Sequence, residues 1–140
     1  EIESQILECI RALNPPILTI PGIGELTAAI ILSEYGNINK FENPAQLLSF
    51  AGLEPGYYQS GLAEHQGHMV KHGSSHLRYA LMNACLPLIT YEPVFAEYYA
   101  KKRAEGKPHR VALTHVAKKL LRVIFTLQTK NISYDPTLIR

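Results

Sequence analysis

The side chains of this 140-residue chain whose types could do chemistry gather between Tyr57 and Arg78. Ser60 stands in Gln59-Ser60-Gly61. A serine hydroxyl attacks a phosphodiester only where one group takes its proton and another stabilises charge on the phosphate. By itself a Ser-Gly pair is turn punctuation. Tyr57 and Tyr58 offer a rival phenol nucleophile, or rings that stack on bases or close a core. The arginine and histidine company of a tyrosine mechanism is not evident at convincing spacing, so the tyrosines rank below Ser60. His65, His68, His72 and His76 follow at intervals of three, four and four, a spacing that would stack zinc or nickel ligands on a helix. Gly67 and Gly73 argue against that helix. The histidines are read as DNA or solvent contacts, and no metal site is assigned.

A second candidate lies upstream, in Leu18-Thr19-Ile20-Pro21-Gly22-Ile23-Gly24 followed by Leu26-Thr27-Ala28-Ala29. Two glycines permit backbone angles and close approach that side chains forbid, and they leave amides exposed at a helix N-terminus, where phosphate binds. The pattern resembles a helix-hairpin-helix element, with Gly22, Ile23 and Gly24 as the contacts to a nucleic-acid backbone. The competing reading is an ordinary αα turn in which Ile20 and Ile23 plug the core.

Charge favours the nucleic-acid reading. Residues 1–66 hold Arg11 and Lys40 against eight glutamates, a balance of −6, whereas residues 67–140 hold twelve cations against Glu92, Glu97, Glu105 and Asp135, a balance of +8. A basic half is an electrostatic footprint for a polyanion, although a charge run is also an ordinary solvated face. Lys71, Arg78, Lys101, Lys102, Arg103, Lys107 and Arg110 supply candidate phosphate contacts, with Lys118, Lys119 and Arg122 on the last helix beside an apolar stripe. No apolar run approaches the length of a membrane span, and the acidic start is unlike a signal peptide, so the expected setting is the cytoplasm with no membrane partner. Cys9 and Cys85 sit within apolar helical patterns without paired spacing, which predicts buried thiols.

The elements that must position these groups are helical. Ile2, Ile6, Cys9, Ile10 and Leu13 form one stripe that ends at Asn14-Pro15-Pro16, so residues 1–14 read as the end of an amphipathic helix, serving either as a coiled-coil linker or dimer contact or as core packing. A short helix, the glycine hairpin and a second helix ended by Gly36 follow, and Asn43-Pro44 starts a helix through Phe50. Residues 52–73, with five glycines, predict a long Gly-rich loop or short hairpin. Three C-terminal helices are predicted over Ser75–Ile89, Pro93–Ala104 and Val111–Leu127, and residues 131–140 as a frayed tail. The fold class is therefore mainly α, with one domain over residues 15–130.

In this order Phe50-Ala51-Gly52-Leu53-Glu54-Pro55, Gln59-Ser60-Gly61, Lys71-His72-Gly73, Leu77-Arg78 and Lys118-Lys119-Leu120-Leu121-Arg122 resemble the C-terminal domain of the DEDD transposases of insertion sequences. That family includes Piv-type invertases and bridge-RNA-guided recombinases, and the match runs from Ile17 to Leu127. The resemblance implies that a RuvC-like domain with four metal-binding carboxylates precedes this one and carries the divalent metal, Mg. It also implies that Ser60 is the nucleophile, with Gly61 beside it, that double-stranded DNA is the partner, that a structural guide RNA is admissible and that the working enzyme is a homo-oligomer. The chain itself holds one aspartate, Asp135, so it cannot build the four-carboxylate site on the family pattern, and no cofactor is assigned to it. The alternative is a non-catalytic helix-hairpin-helix module of a repair or recombination protein. A third reading is a protein-interaction domain that uses the acidic first helix.

Overall fold

The computed structural model describes residues 1–53 and 74–138. Every regular element among them is helical: α1 Ile2–Leu13, α2 Glu25–Tyr35, α3 Pro44–Phe50, α4 Ser75–Tyr91, α5 Pro93–Ala104 and α6 His109–Lys130, with 3₁₀ turns at Pro16–Thr19, Ile38–Lys40 and Pro136–Leu138. The mainly α class and the three C-terminal helices are as the sequence pattern predicts.

Helix α6 is the axis of the domain. Its 22 residues span about 33 Å at the helical rise. Ala112, Leu113, Val116, Ala117, Leu120, Leu121, Val123, Ile124 and Leu127 are all buried, a stripe wide enough to serve several neighbours at once. Helices α3, α4 and α5 and the first two 3₁₀ turns pack on it, while α2 bridges α4 and α1. The helix runs two residues earlier and three later than the sequence predicts. It ends on Asn131 in the left-handed region (φ 54°), and the Ile132 N–H donates to the Leu127 carbonyl.

The start of α2 shows why the Pro21–Gly24 turn is built as it is. Ile17, Ile20 and Ile23 are buried on either side of it, and the Ile17 N–H donates to Gln128 Oε1 of α6 at 2.9 Å. Gly22 adopts φ +93°, which an L side chain rarely takes, and its backbone rests on Pro87 and Leu88 of α4. Pro87 lies inside α4 and has no N–H to give to the Asn83 carbonyl one turn back. Asn43 caps α3 as expected, accepting from the Gln46 N–H at 3.0 Å.

Three expectations need adjustment. Within α1 only Ile10 is buried: Ile2 and Leu13 are each 74% exposed, and Ile6 and Cys9 also face outward, so the apolar stripe is mostly uncovered. Cys9 is therefore not a buried thiol. Cys85 is, and burial pushes its pKa up to about 12. Residues 131–137, expected to fray, run back along the body instead: the Tyr134 N–H donates to Thr19 Oγ1 at 2.7 Å, and its ring stacks on Phe95 with centroids 6.4 Å apart.

Candidate nucleic-acid interface

Two helices supply the walls of a surface groove among the described residues, a cleft of about 740 Å³. Arg78, Tyr79, Met82, Asn83 and Leu86 come from α4, and His109, Arg110, Leu113, Thr114 and Lys118 come from α6. On each helix the residues recur one turn apart, as 78, 82 and 86 and as 110, 114 and 118, which is the spacing of a single helical face. The floor is apolar, formed by half-buried Met82 and buried Leu113. The rim is cationic. Arg78, Arg110 and Lys118 line it, and no carboxylate does among the described residues.

The groove is pinned at two places. At one, Gly52, Leu53 and Ser75 complete the lining, where the chain leaves α3 and re-enters α4. The Ser74 N–H donates to the Phe50 carbonyl at 2.6 Å. Its hydroxyl donates to Glu34 Oε1 at 3.0 Å and accepts from the Leu77 N–H at 3.1 Å, so one serine caps α4 and ties it to α2. Arg78 reaches the Ala51 carbonyl at 3.4 Å. At the other, Tyr99 of α5 holds His109 by a 2.7 Å hydrogen bond to Nδ1 and an edge-on ring contact. That contact fixes the first residue of α6, whose N-terminus carries no side-chain cap.

The surrounding field is positive. His115 is held below its ordinary value by burial first and then by Lys118, Lys102 and Lys107. Lys119 is likewise lowered by burial and by the neighbouring Arg122 and Lys101.

The structure divides the cations that the sequence grouped together. Arg78, Arg110 and Lys118 share the groove. Lys119 lies on another face, its ammonium 4.9 Å from the Tyr98 ring centroid and beside Lys101 and Glu97, while Arg122 is exposed one turn further on. Lys102 and Lys107 both pair with Glu105, at 3.5 and 3.0 Å, and Arg103 donates to the Lys107 carbonyl, so this cluster is partly spent on its own turn.

The glycine hairpin is separate from the groove. Gly22 meets α4 at Pro87, nine residues from Arg78, or about 14 Å along the helix. Ile23 is buried, so its side chain belongs to the core and only its backbone can meet a ligand. Gly24 is the N-cap of α2, with no side-chain cap and open space at its Cα. Glu25 beside it is held by Arg11 through two hydrogen bonds of 2.8 and 2.9 Å, which lower its carboxyl below the ordinary value. Ser60, Gly61, Lys71, Tyr57, Tyr58, His65, His68 and His72 lie outside the described residues. His76 is exposed in the first turn of α4.

Sequence reasoning passed over Tyr79, Asn83 and Thr114; the available signal was that Thr114 lies one turn from both Arg110 and Lys118, Tyr79 next to Arg78, and Asn83 one turn from Tyr79. What it lacked was the pairing of α4 with α6.

A cationic cleft between two helices suits a phosphate backbone, and comparison with known proteins bears on which kind of protein carries it. Residues 14–100 match the model of the transposase IS116/IS110/IS902 family. The chain belongs to that family. Over 136 residues it is 32% identical to an uncharacterised 43.6 kDa protein of insertion element IS110 from Streptomyces coelicolor, covering 96% of this chain and 34% of the relative. It is 30% identical to a pilin gene-inverting protein of Moraxella bovis, covering 94% of this chain and 42% of the relative. A transposase for insertion sequence element IS1111A from Coxiella burnetii is 28% identical, covering 84% of this chain and 33% of that protein. This transposase-family chain thus spans well under half the length of these relatives. No solved structure matches it. No helix among the described residues is long and apolar enough to cross a membrane.

Proposed function

We propose that the chain is the DNA-binding and strand-transfer part of an insertion-sequence recombinase. In this reading the α4/α6 groove grips backbone phosphates where the double-stranded DNA substrate is exchanged, and Ser60 is the nucleophile. The observation that supports it is the groove's lining: Leu53 and Ser75, which flank in sequence the stretch holding Ser60, line the same groove as Arg78, Arg110 and Lys118. Ser60 Oγ attacks phosphorus, its proton passes to a base, the P–O3′ bond breaks, and the 3′ oxygen leaves as a hydroxyl after taking up a proton. A phosphoserine link holds the 5′ end until a second 3′ hydroxyl reverses the step. The groove cations offset charge on the phosphate through this exchange.

The described residues do not supply a metal centre for the reaction. No carboxylate lines the groove, and Asp135 is engaged by Thr137 at 2.7 and 3.0 Å. The family resemblance implies that the base and the Mg sites belong to a RuvC-like domain beyond this chain, where the metal would supply Lewis-acid stabilisation of the phosphate. The hairpin at Gly22–Gly24, with its uncapped α2 N-terminus, supports a second backbone contact. The uncovered stripe of α1 supports assembly into a homo-oligomer, the family's RNA-guided members make a structural RNA a candidate further partner, and the setting is the cytoplasm.

The test uses the full-length protein that carries this chain. Ser60→Ala should abolish covalent protein–DNA linkage while changing duplex affinity by no more than about twofold. Arg78→Ala, Arg110→Ala and Lys118→Ala together should weaken duplex binding and flatten its salt dependence, by about 0.9 in log–log slope for each phosphate left without its cation. Linkage that survives Ser60→Ala removes the serine from the mechanism. Binding that survives the triple substitution removes the groove, and a non-catalytic hairpin module then becomes the better account.

A further inference from the structure

Tyr79 is 71% exposed on the lip of the groove, although a tyrosine ring left in water loses the burial that most rings gain. Its surroundings are specific: the Arg78 and Arg110 guanidinium groups, the Asn83 amide, half-exposed Leu86 and a floor of Met82 and Leu113. The outside of a duplex presents phosphates and sugars, which cations alone satisfy, and its base faces are already stacked inward. An apolar floor and a free aromatic face would go unused against it. An unpaired nucleotide matches both parts, since it carries a phosphate for the cations and a π-face for the ring.

We propose that the α4/α6 groove takes an unpaired stretch of nucleic acid, with one base stacked on Tyr79 and its flanking phosphates on Arg78, Arg110 and Lys118. Asn83, one turn along α4, offers an amide donor and an acceptor to a base edge. The inference rests on the groove being a nucleic-acid site and adds which form it selects: strand separated from its partner, either DNA opened at the exchange point or a single-stranded part of an RNA. The absence of lining carboxylates among the described residues disfavours a basic peptide as the occupant.

Fluorescence anisotropy on the full chain tests this with labelled oligothymidine and oligouridine strands of about a dozen nucleotides and a DNA duplex of equal length. Tyr79→Ala should weaken single-strand binding about 5- to 100-fold, the range that loss of one base–aromatic stack produces, and alter duplex binding by no more than about twofold. Tyr79→Phe keeps the ring and should bind as the parent does. A 2-aminopurine placed in the strand should be quenched by the parent and by Tyr79→Phe, and not by Tyr79→Ala. A loss on oligothymidine alone identifies DNA as the source, a loss on oligouridine alone identifies RNA, and a loss on both shows that the base stack is indifferent to the sugar. Equal losses on strand and duplex, no loss on any probe, or a Tyr79→Phe variant as weak as Tyr79→Ala would overturn the proposal. If the Arg78, Arg110 and Lys118 substitutions weaken duplex binding while Tyr79→Ala spares the single strand, only the stack fails. If those substitutions change nothing, the groove reading fails with it.

Discussion

The α4/α6 groove and the α1/α2 face are both open surfaces over the same core, yet they are built to opposite rules. The groove places three cations around a small apolar floor. The α1/α2 face exposes Ile2, Ile6 and Leu13 over a cleft of about 390 Å³ lined also by Cys9, Ala29 and Leu32, with no cation or carboxylate in the lining among the described residues. An apolar patch of that kind is matched by another apolar surface, whereas a charged cleft over a few apolar atoms is matched by a polyanion. Charge alone thus distinguishes two open surfaces of one small domain.

The largest change to this comparison should come from Leu120→Ala, which removes a fully buried side chain from α6, the helix that forms one wall of the groove. A loss of about 2–5 kcal/mol is expected in chemical denaturation, because the cavity cannot fully collapse. Both surfaces should fail together on heating; a groove lost while the α1/α2 face kept its function in the folded domain would confine the damage to α6.

Ile2→Ser with Leu13→Ser should act on one side alone. Both side chains are mostly in water, so stability should change by no more than about 0.5 kcal/mol each, while analytical ultracentrifugation should show a lighter species and duplex affinity should hold. An unchanged sedimentation profile would remove the α1/α2 face as an assembly contact.

The smallest effect concerns pH. His115 is held below its ordinary value of 6.5 chiefly by burial, so the folded state binds its proton less readily than the unfolded chain does. Its contribution is complete above pH 6.5 and is lost as pH falls through the lowered folded value. His115→Gln should flatten thermal stability below pH 6.5. Retention of the parent's slope there would assign it to other groups.

How far each surface was legible in the sequence follows from the range of the physics involved. Asn43 before Pro44, the glycine after Tyr35 and the apolar stripe of α6 are local signals, and they place their helices within a few residues. The Gly22 turn was also readable, but its packing on Pro87 was not, because nothing in the hairpin specifies which helix it will meet. The groove is a pairing of residues about thirty positions apart, Arg78 with Arg110, and its third cation comes from a helix where Lys118 and the adjacent Lys119 face different neighbours. A charge count sees one basic half, and only the helical turn of about 100° per residue separates them. The exposed stripe of α1 left two readings open for the same reason: periodicity reports that a face is apolar, and contact decides whether anything covers it.

Ser74 joins three elements, and this has a consequence for how the domain can change over time. Because Phe50, Glu34 and Leu77 fix the point where the chain returns to α4, the twenty residues between Leu53 and Ser74 span anchors that the rest of the fold already holds in place. Closing a segment between fixed ends costs little more as it lengthens, about 0.6 kcal/mol for each doubling. The chain can therefore exchange that stretch for a longer or differently composed one at little cost, so that sequence change there is tolerated without the helices having to be rebuilt.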